Sequence, residues 1–146
     1  YMNPQHIFVA HFIGESNFLE GYVSKITRKE SIIKLRGGLF VRATDRIHKE
    51  GDRVVIAIRP EVLTVEKGAK RKANSIFGHI EGFRFEGTNV RCQIRLKNGD
   101  LAVVVRPALI TEWFNIGERV TVSFPAEKSF VFPYPERGLK TELALE

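Results

Sequence analysis

Apolar residues alternate with polar ones along most of this chain, in short runs whose period of two points to strands and not helices. Phe18–Thr27, Ser31–Leu35, Leu39–Arg42, Arg53–Arg59 and Leu63–Glu66 read as strands, each broken off by glycine or a charged turn. A second series follows at Ile76–Phe85, Val90–Leu96, Leu101–Val105, Val120–Phe124 and Ser129–Phe132. Within it, alternation sets Val90, Cys92, Ile94 and Leu96 on one face of a strand, with Arg91, Gln93, Arg95 and Lys97 on the other. Cys92 is therefore expected in the core. The opening departs from the pattern: Asn3 suits an N-cap, Pro4 a first helical position, and Gly14 an end after Ile7, Phe8, Ala10, Phe12 and Ile13, which predicts a short helix. A further short helical insertion is expected at Ala108–Phe114.

The two series of strands are copies of one plan. Asn17 is followed by Gly21 and Val23, and Asn74 by Gly78 and Ile80. Gly51-Asp52-Arg53-Val54 is matched later by Gly117-Glu118-Arg119-Val120, and between these landmarks each copy holds a tight-turn signal, Gly37-Gly38 in the first and Asn98-Gly99 in the second. Asn17, Gly21, Asn74 and Gly78 are thus the marks of a tandem, and the two glycines are expected at equivalent strand positions where a missing side chain permits a bulge or a close backbone approach. Many short strands at this spacing predict an all-β fold, tandem β units forming an OB-like barrel with a short N-terminal helix. The expected organisation is a helix over 1–15, a first β unit over 16–67, a basic linker over 68–73, a second β unit over 74–132 and a tail over 133–146. In the linker, Gly68-Ala69-Lys70-Arg71-Lys72 shows no apolar periodicity and reads as a solvated loop.

Composition narrows the chemistry. A chain of 146 residues with 43% hydrophobic content can bury a core without staples. Its single cysteine excludes an internal disulfide framework and fits a reducing compartment. A net charge of +6 raises anionic partners. No run approaches a membrane span, and Tyr1-Met2-Asn3-Pro4 opens no signal peptide. Phosphate-loop chemistry is excluded because no GxxxxGK[ST] string exists and Gly37-Gly38 leads into a strand where a helix is needed. His6, His11, His48 and His79 lack metal-ligand spacing, and the serines sit in no nucleophile elbow. Single-strand binding by barrels usually places rings and cations on one surface. Here Phe83 and Phe85 point away from Arg84 and the basic strand carries no ring, so these aromatics are expected in the core and no nucleic-acid partner is expected.

One string stands apart, Ile58-Arg59-Pro60-Glu61. Pro60 fixes its own φ and biases Arg59 to extended backbone, so the strand must end there and present Arg59 and Glu61 at a corner. Such a corner braces or binds; the alternative is an Arg59–Glu61 pair that only stabilises the turn.

Together with Phe8-Val9-Ala10, Phe12-Ile13-Gly14, Ser16-Asn17-Phe18-Leu19-Glu20-Gly21, Phe124-Pro125-Ala126-Glu127 and Phe130-Val131-Phe132, this string resembles the C-terminal regulatory region, of the transport-associated OB (TOBE) type, of ABC-transporter ATP-binding subunits, with importers of polyamine type most similar. The resemblance implies that the opening helix connects to a preceding nucleotide-binding domain. It also implies that the fragment holds no cofactor while its parent uses ATP and Mg, and that the partners are a second copy of the subunit and, through that preceding domain, membrane permease subunits at the inner face of the cell membrane. The expected function is a non-catalytic regulatory and dimerisation domain, with Arg59, Pro60, Glu61, Asn17, Gly21, Asn74 and Gly78 as interface candidates and no metal site. The alternatives are a sensor for an oxyanion such as molybdate or sulfate, and a single-stranded nucleic-acid module.

Overall fold

The computed structural model describes residues 15–70, 73–110 and 114–135. Ten strands follow one another among them: β1 (Asn17–Ile26), β2 (Ser31–Leu35), β3 (Phe40–Ala43), β4 (Arg53–Ile58), β5 (Thr64–Lys67), β6 (Ser75–Glu86), β7 (Asn89–Leu96), β8 (Leu101–Pro107), β9 (Arg119–Ser123) and β10 (Phe130–Pro133). No helix of seven or more residues occurs among the described residues. The expected opening helix lies outside them. Of the insertion expected at Ala108–Phe114, Ala108–Ile110 form a 3-10 turn and Phe114 belongs to no helix.

The chain divides into two compact units, one built from the chain up to Arg59 together with the chain from Ala126, the other from Pro60–Pro125. Each holds one five-stranded antiparallel sheet, ordered β10-β4-β1-β2-β3 in unit 1 and β5-β9-β6-β7-β8 in unit 2. Sequence order and sheet membership part company at the fifth strand of each copy. β5 follows β4 but pairs with β9, and β10 follows β9 but pairs with β4. The all-β expectation holds, and no ladder joins the outer strands of either sheet. Beside the outer strands, Thr44 N donates to Ala126 O at 3.4 Å in unit 1, and Val105 N to Pro60 O at 3.1 Å in unit 2.

Alternation builds both cores. Ser31, Ile33 and Leu35 of β2 are buried with Val41 and Ala43 of β3, and Val90, Cys92, Ile94 and Leu96 of β7 with Ala102 and Val104 of β8. β4 breaks the rule, since Val54 through Ile58 are all buried. Its second face is apolar because Val55 and Ala57 cluster with Phe132 of β10, with Phe18 and Tyr134 packed against them.

The repeat extends to main-chain bonding. Val23 N donates to Asp52 O at 2.9 Å and Ile80 N to Glu118 O at 3.0 Å, while Gly51 N donates to Val23 O at 2.8 Å and Gly117 N to Ile80 O at 2.7 Å. In the turns, Gly38 N donates to Leu35 O at 3.1 Å and Gly99 N to Leu96 O at 2.9 Å. Both turn glycines have positive φ, 84° and 93°, which glycine adopts without the clash a side chain would bring. Each long hairpin carries one bulge, between Val23 and Lys25 in β1 and between Ile80 and Gly82 in β6.

One expectation needs correction. Phe83 and Phe85 are not core residues but are 38% and 51% exposed. The β6–β7 hairpin carries them to its Gly87-Thr88 end, where they meet edge-on with centroids 6.4 Å apart. The described start of the linker lies outside any strand and is mostly exposed, and hydrogen bonds tether it: Gly68 N donates to Arg119 O, Lys70 N donates to Thr121 Oγ1, and that hydroxyl donates to Gly68 O at 2.6 Å. These bonds satisfy a buried threonine on β9.

Candidate functional site

Arg59, Pro60 and Glu61 stand where the chain leaves unit 1 for unit 2. The division falls between Arg59 and Pro60, and the return crossing falls between Pro125 and Ala126. On the unit 1 side, Asn17 opens β1 opposite Ile58, and its buried side-chain amide donates to the Ile58 carbonyl at 3.3 Å. This bond fastens the end of β4 just before Arg59. On the unit 2 side, buried Pro60 accepts from Val105 N, and Glu61 O accepts from Arg106 Nη1 at 3.5 Å. No ion pair joins Arg59 to Glu61 among the described residues. The corner is therefore held by its backbone, not by its charges.

Asn74 plays the counterpart of Asn17 at the start of β6. It is buried, has φ 56°, and its carbonyl accepts from Phe124 N at 3.3 Å, next to the return crossing at Pro125. Positive φ suits asparagine better than most residues, because its short polar side chain bonds locally.

Gly21 and Gly78 sit four residues further along their strands. Gly21 pairs with Leu35 and Val54, and Gly78 with Leu96 and Val120. These are equivalent positions in the two copies. The structure thus groups Asn17 with Arg59 in unit 1 and Pro60 with Glu61 in unit 2, and leaves both glycines away from the crossings.

Charged side chains gather on the β6–β7 hairpin. Arg95 grips Glu81 through Nε at 2.8 Å and Nη2 at 3.0 Å, which holds the Glu81 carboxyl below its usual range. Arg91 and then Arg84 do the same to Glu86. Burial pushes the Cys92 thiol up, so it is a poor nucleophile. Among the described residues no group of three His, Cys, Asp or Glu is placed to hold a metal ion, and no helix is long and apolar enough to cross a membrane.

Sequence reasoning missed one arrangement. In register, Tyr22 of β1 lies between Lys34 of β2 and Arg53 of β4, and His79 of β6 lies between Arg95 of β7 and Arg119 of β9. Rings and cations therefore do share a surface. The signal was the repeat itself: aligned on its landmarks, both copies carry an aromatic ring and two cations at these places.

Three comparisons bear on these observations. A family model described as the TOBE domain matches residues 56–132. The spermidine/putrescine import ATP-binding protein PotA of Methylococcus capsulatus is 33% identical over 141 residues, which cover 92% of this chain and 36% of that protein. PotA of Ruegeria pomeroyi is 34% identical over 130 residues, 87% of this chain and 34% of that protein. The match is to the C-terminal region of PotA. The chain spans about a third of the length of these curated relatives. Among solved structures, the cytoplasmic molybdate-binding protein ModG with molybdate bound superposes with a TM-score of 0.71 over 82% of this chain and 96% of that one, at 18% identity. At that identity the likeness is one of fold.

Proposed function

This chain belongs to the TOBE domain family, and from that premise we propose that it is the non-catalytic regulatory and dimerisation portion of the ATP-binding subunit of an ABC importer, of the spermidine/putrescine type. The observation that carries the reading is the match to PotA across 92% of the chain. Its work is mechanical: two copies of the subunit meet through their β units while the nucleotide-binding domains of the parent open and close. ATP and Mg belong to those domains, and the membrane permease subunits are reached through them, on the cytoplasmic side of the membrane. The crossings at Arg59-Pro60 and Pro125-Ala126 support such a role, since main-chain hydrogen bonds anchor the chain at each.

Sedimentation velocity over a range of concentrations tests the dimerisation role. Exchange between monomer and dimer is expected, and a monomer at every concentration and salt overturns it. Incubated with ATP and Mg, the isolated chain is expected to release no phosphate above buffer. Measurable turnover by pure protein overturns the non-catalytic reading.

A further inference from the structure

Unit 1 carries an open groove of about 360 Å³, lined by Glu20, Gly21, Tyr22, Lys34, Leu35, Arg36, Gly37, Gly38 and Arg53. That volume lies within the roughly 300–1,000 Å³ of small-molecule sites. Three cations line it against one carboxylate, and that carboxylate is engaged: Arg53 Nη2 donates to Glu20 Oε1 at 3.2 Å while its guanidinium lies 3.7 Å from the Tyr134 ring centroid. Lys34 has no ion-pair partner among the described residues; its ammonium stands 6.0 Å from the Phe40 ring centroid. Tyr22, 53% exposed, sits directly between Lys34 and Arg53.

In the second copy the cation at the same place is engaged. There Arg95, the counterpart of Lys34, is locked in a fork with Glu81 and also donates to Gly99 O at 3.0 Å. Glu81 stands at the bulge of β6. The matching residue at the bulge of β1 is Ser24, which carries no charge. One copy spends its cation on an internal ion pair, and the other leaves it open beside an exposed ring.

We propose that the unit 1 groove binds a nucleoside phosphate, with Lys34 taking a phosphoryl oxygen and Tyr22 stacking on the planar base. A cation beside a ring satisfies both ends of such a ligand, because stacking on an aromatic tolerates any base and the phosphate is drawn by charge. A simple tetrahedral oxyanion would use the cations and leave the ring idle.

Isothermal titration of the full chain at low ionic strength, with adenosine monophosphate, adenosine and ribose 5-phosphate as probes, tests this. Saturable binding of the monophosphate in the micromolar to millimolar range is expected, with weaker binding of each half ligand and loss of affinity as salt rises. Tyr22→Ala is expected to lower affinity about tenfold. Ser24→Glu, which places opposite Lys34 the carboxylate that the second copy carries, is expected to lower it by a similar factor, as is Lys34→Ala. Lys128→Ala, the same charge change on an exposed turn outside the groove, is expected to leave it within about twofold. All four positions are exposed or half-buried on the surface, so folding is not at stake. Absence of saturable binding overturns the proposal. So does binding that survives Tyr22→Ala and Lys34→Ala, binding weakened equally by Lys128→Ala, or binding only of oligonucleotides with affinity that grows with length.

Discussion

A methyl group at Gly21 would lie 2.6 Å from the Lys34 carbonyl oxygen, and one at Gly78 would lie 2.5 Å from that of Arg95. Both obstacles are backbone atoms of the neighbouring strand, which cannot swing aside as a side chain can. Gly21→Ala and Gly78→Ala are each expected to destabilise their unit by about 1–3 kcal/mol, read from denaturant midpoints. Midpoints unchanged from wild type would show that the strands part without cost. Both positions were legible in the sequence because the repeat marks them. The atoms they approach were not, since these depend on cross-strand register. Cys92 gives a second residue-scale expectation. Its folded thiol is raised above its ordinary value, so the protonated form is favoured by folding; that contribution is complete below the ordinary thiol value and is lost as pH rises through the raised one. Maleimide should label Cys92 only at the rate of unfolding at neutral pH, and labelling as fast as a free thiol would contradict its burial.

At the scale of elements, the β6–β7 hairpin pairs its carboxylates with its own arginines. Glu81 and Glu86 titrate below their usual range because arginines bond their ionised forms. Their stabilising contribution is therefore present above the ordinary carboxylate range and is lost as pH falls through the lowered folded values. A Glu81→Gln, Glu86→Gln double variant should lose less stability on acidification than the wild type, measured by thermal unfolding at a series of pH values. An acid limb as steep as the wild type's would count against the linkage. β10 makes a different prediction. Phe132 lies late in the chain but packs on Val55 and Ala57, so Phe132→Ala is expected to cost about 3–5 kcal/mol and to raise amide exchange in β1 and β4 before β6 and β9. Alternation made most strands legible to within a residue or two, including the buried face of β7. It misled at Phe83 and Phe85, where the pattern gives the face of a strand but not how far the hairpin runs beyond the core. It was also silent on which strands pair, because pairing is a property of the whole sheet.

For the whole molecule, a net charge of +6 works against the approach of two copies. If apolar burial holds the proposed dimer, screening weakens the repulsion and association should strengthen as salt rises from low to moderate. A dimer that salt dissolves would instead be held by opposite charges, and sedimentation at several ionic strengths separates the two outcomes. The exchange of fifth strands has a consequence for inheritance. A half-chain cut from either copy would carry a strand whose partner lies in the other half, and would lack the strand that its own sheet needs. Its exposed sheet edge would find its complement on a second half-chain. A gene coding for one copy alone would thus produce a protein complete only in pairs, and fusing two such genes end to end would turn an association that depends on concentration into a fold that does not. The two prolines at the crossings, Pro60 and Pro125, would stand where two separate molecules once traded strands.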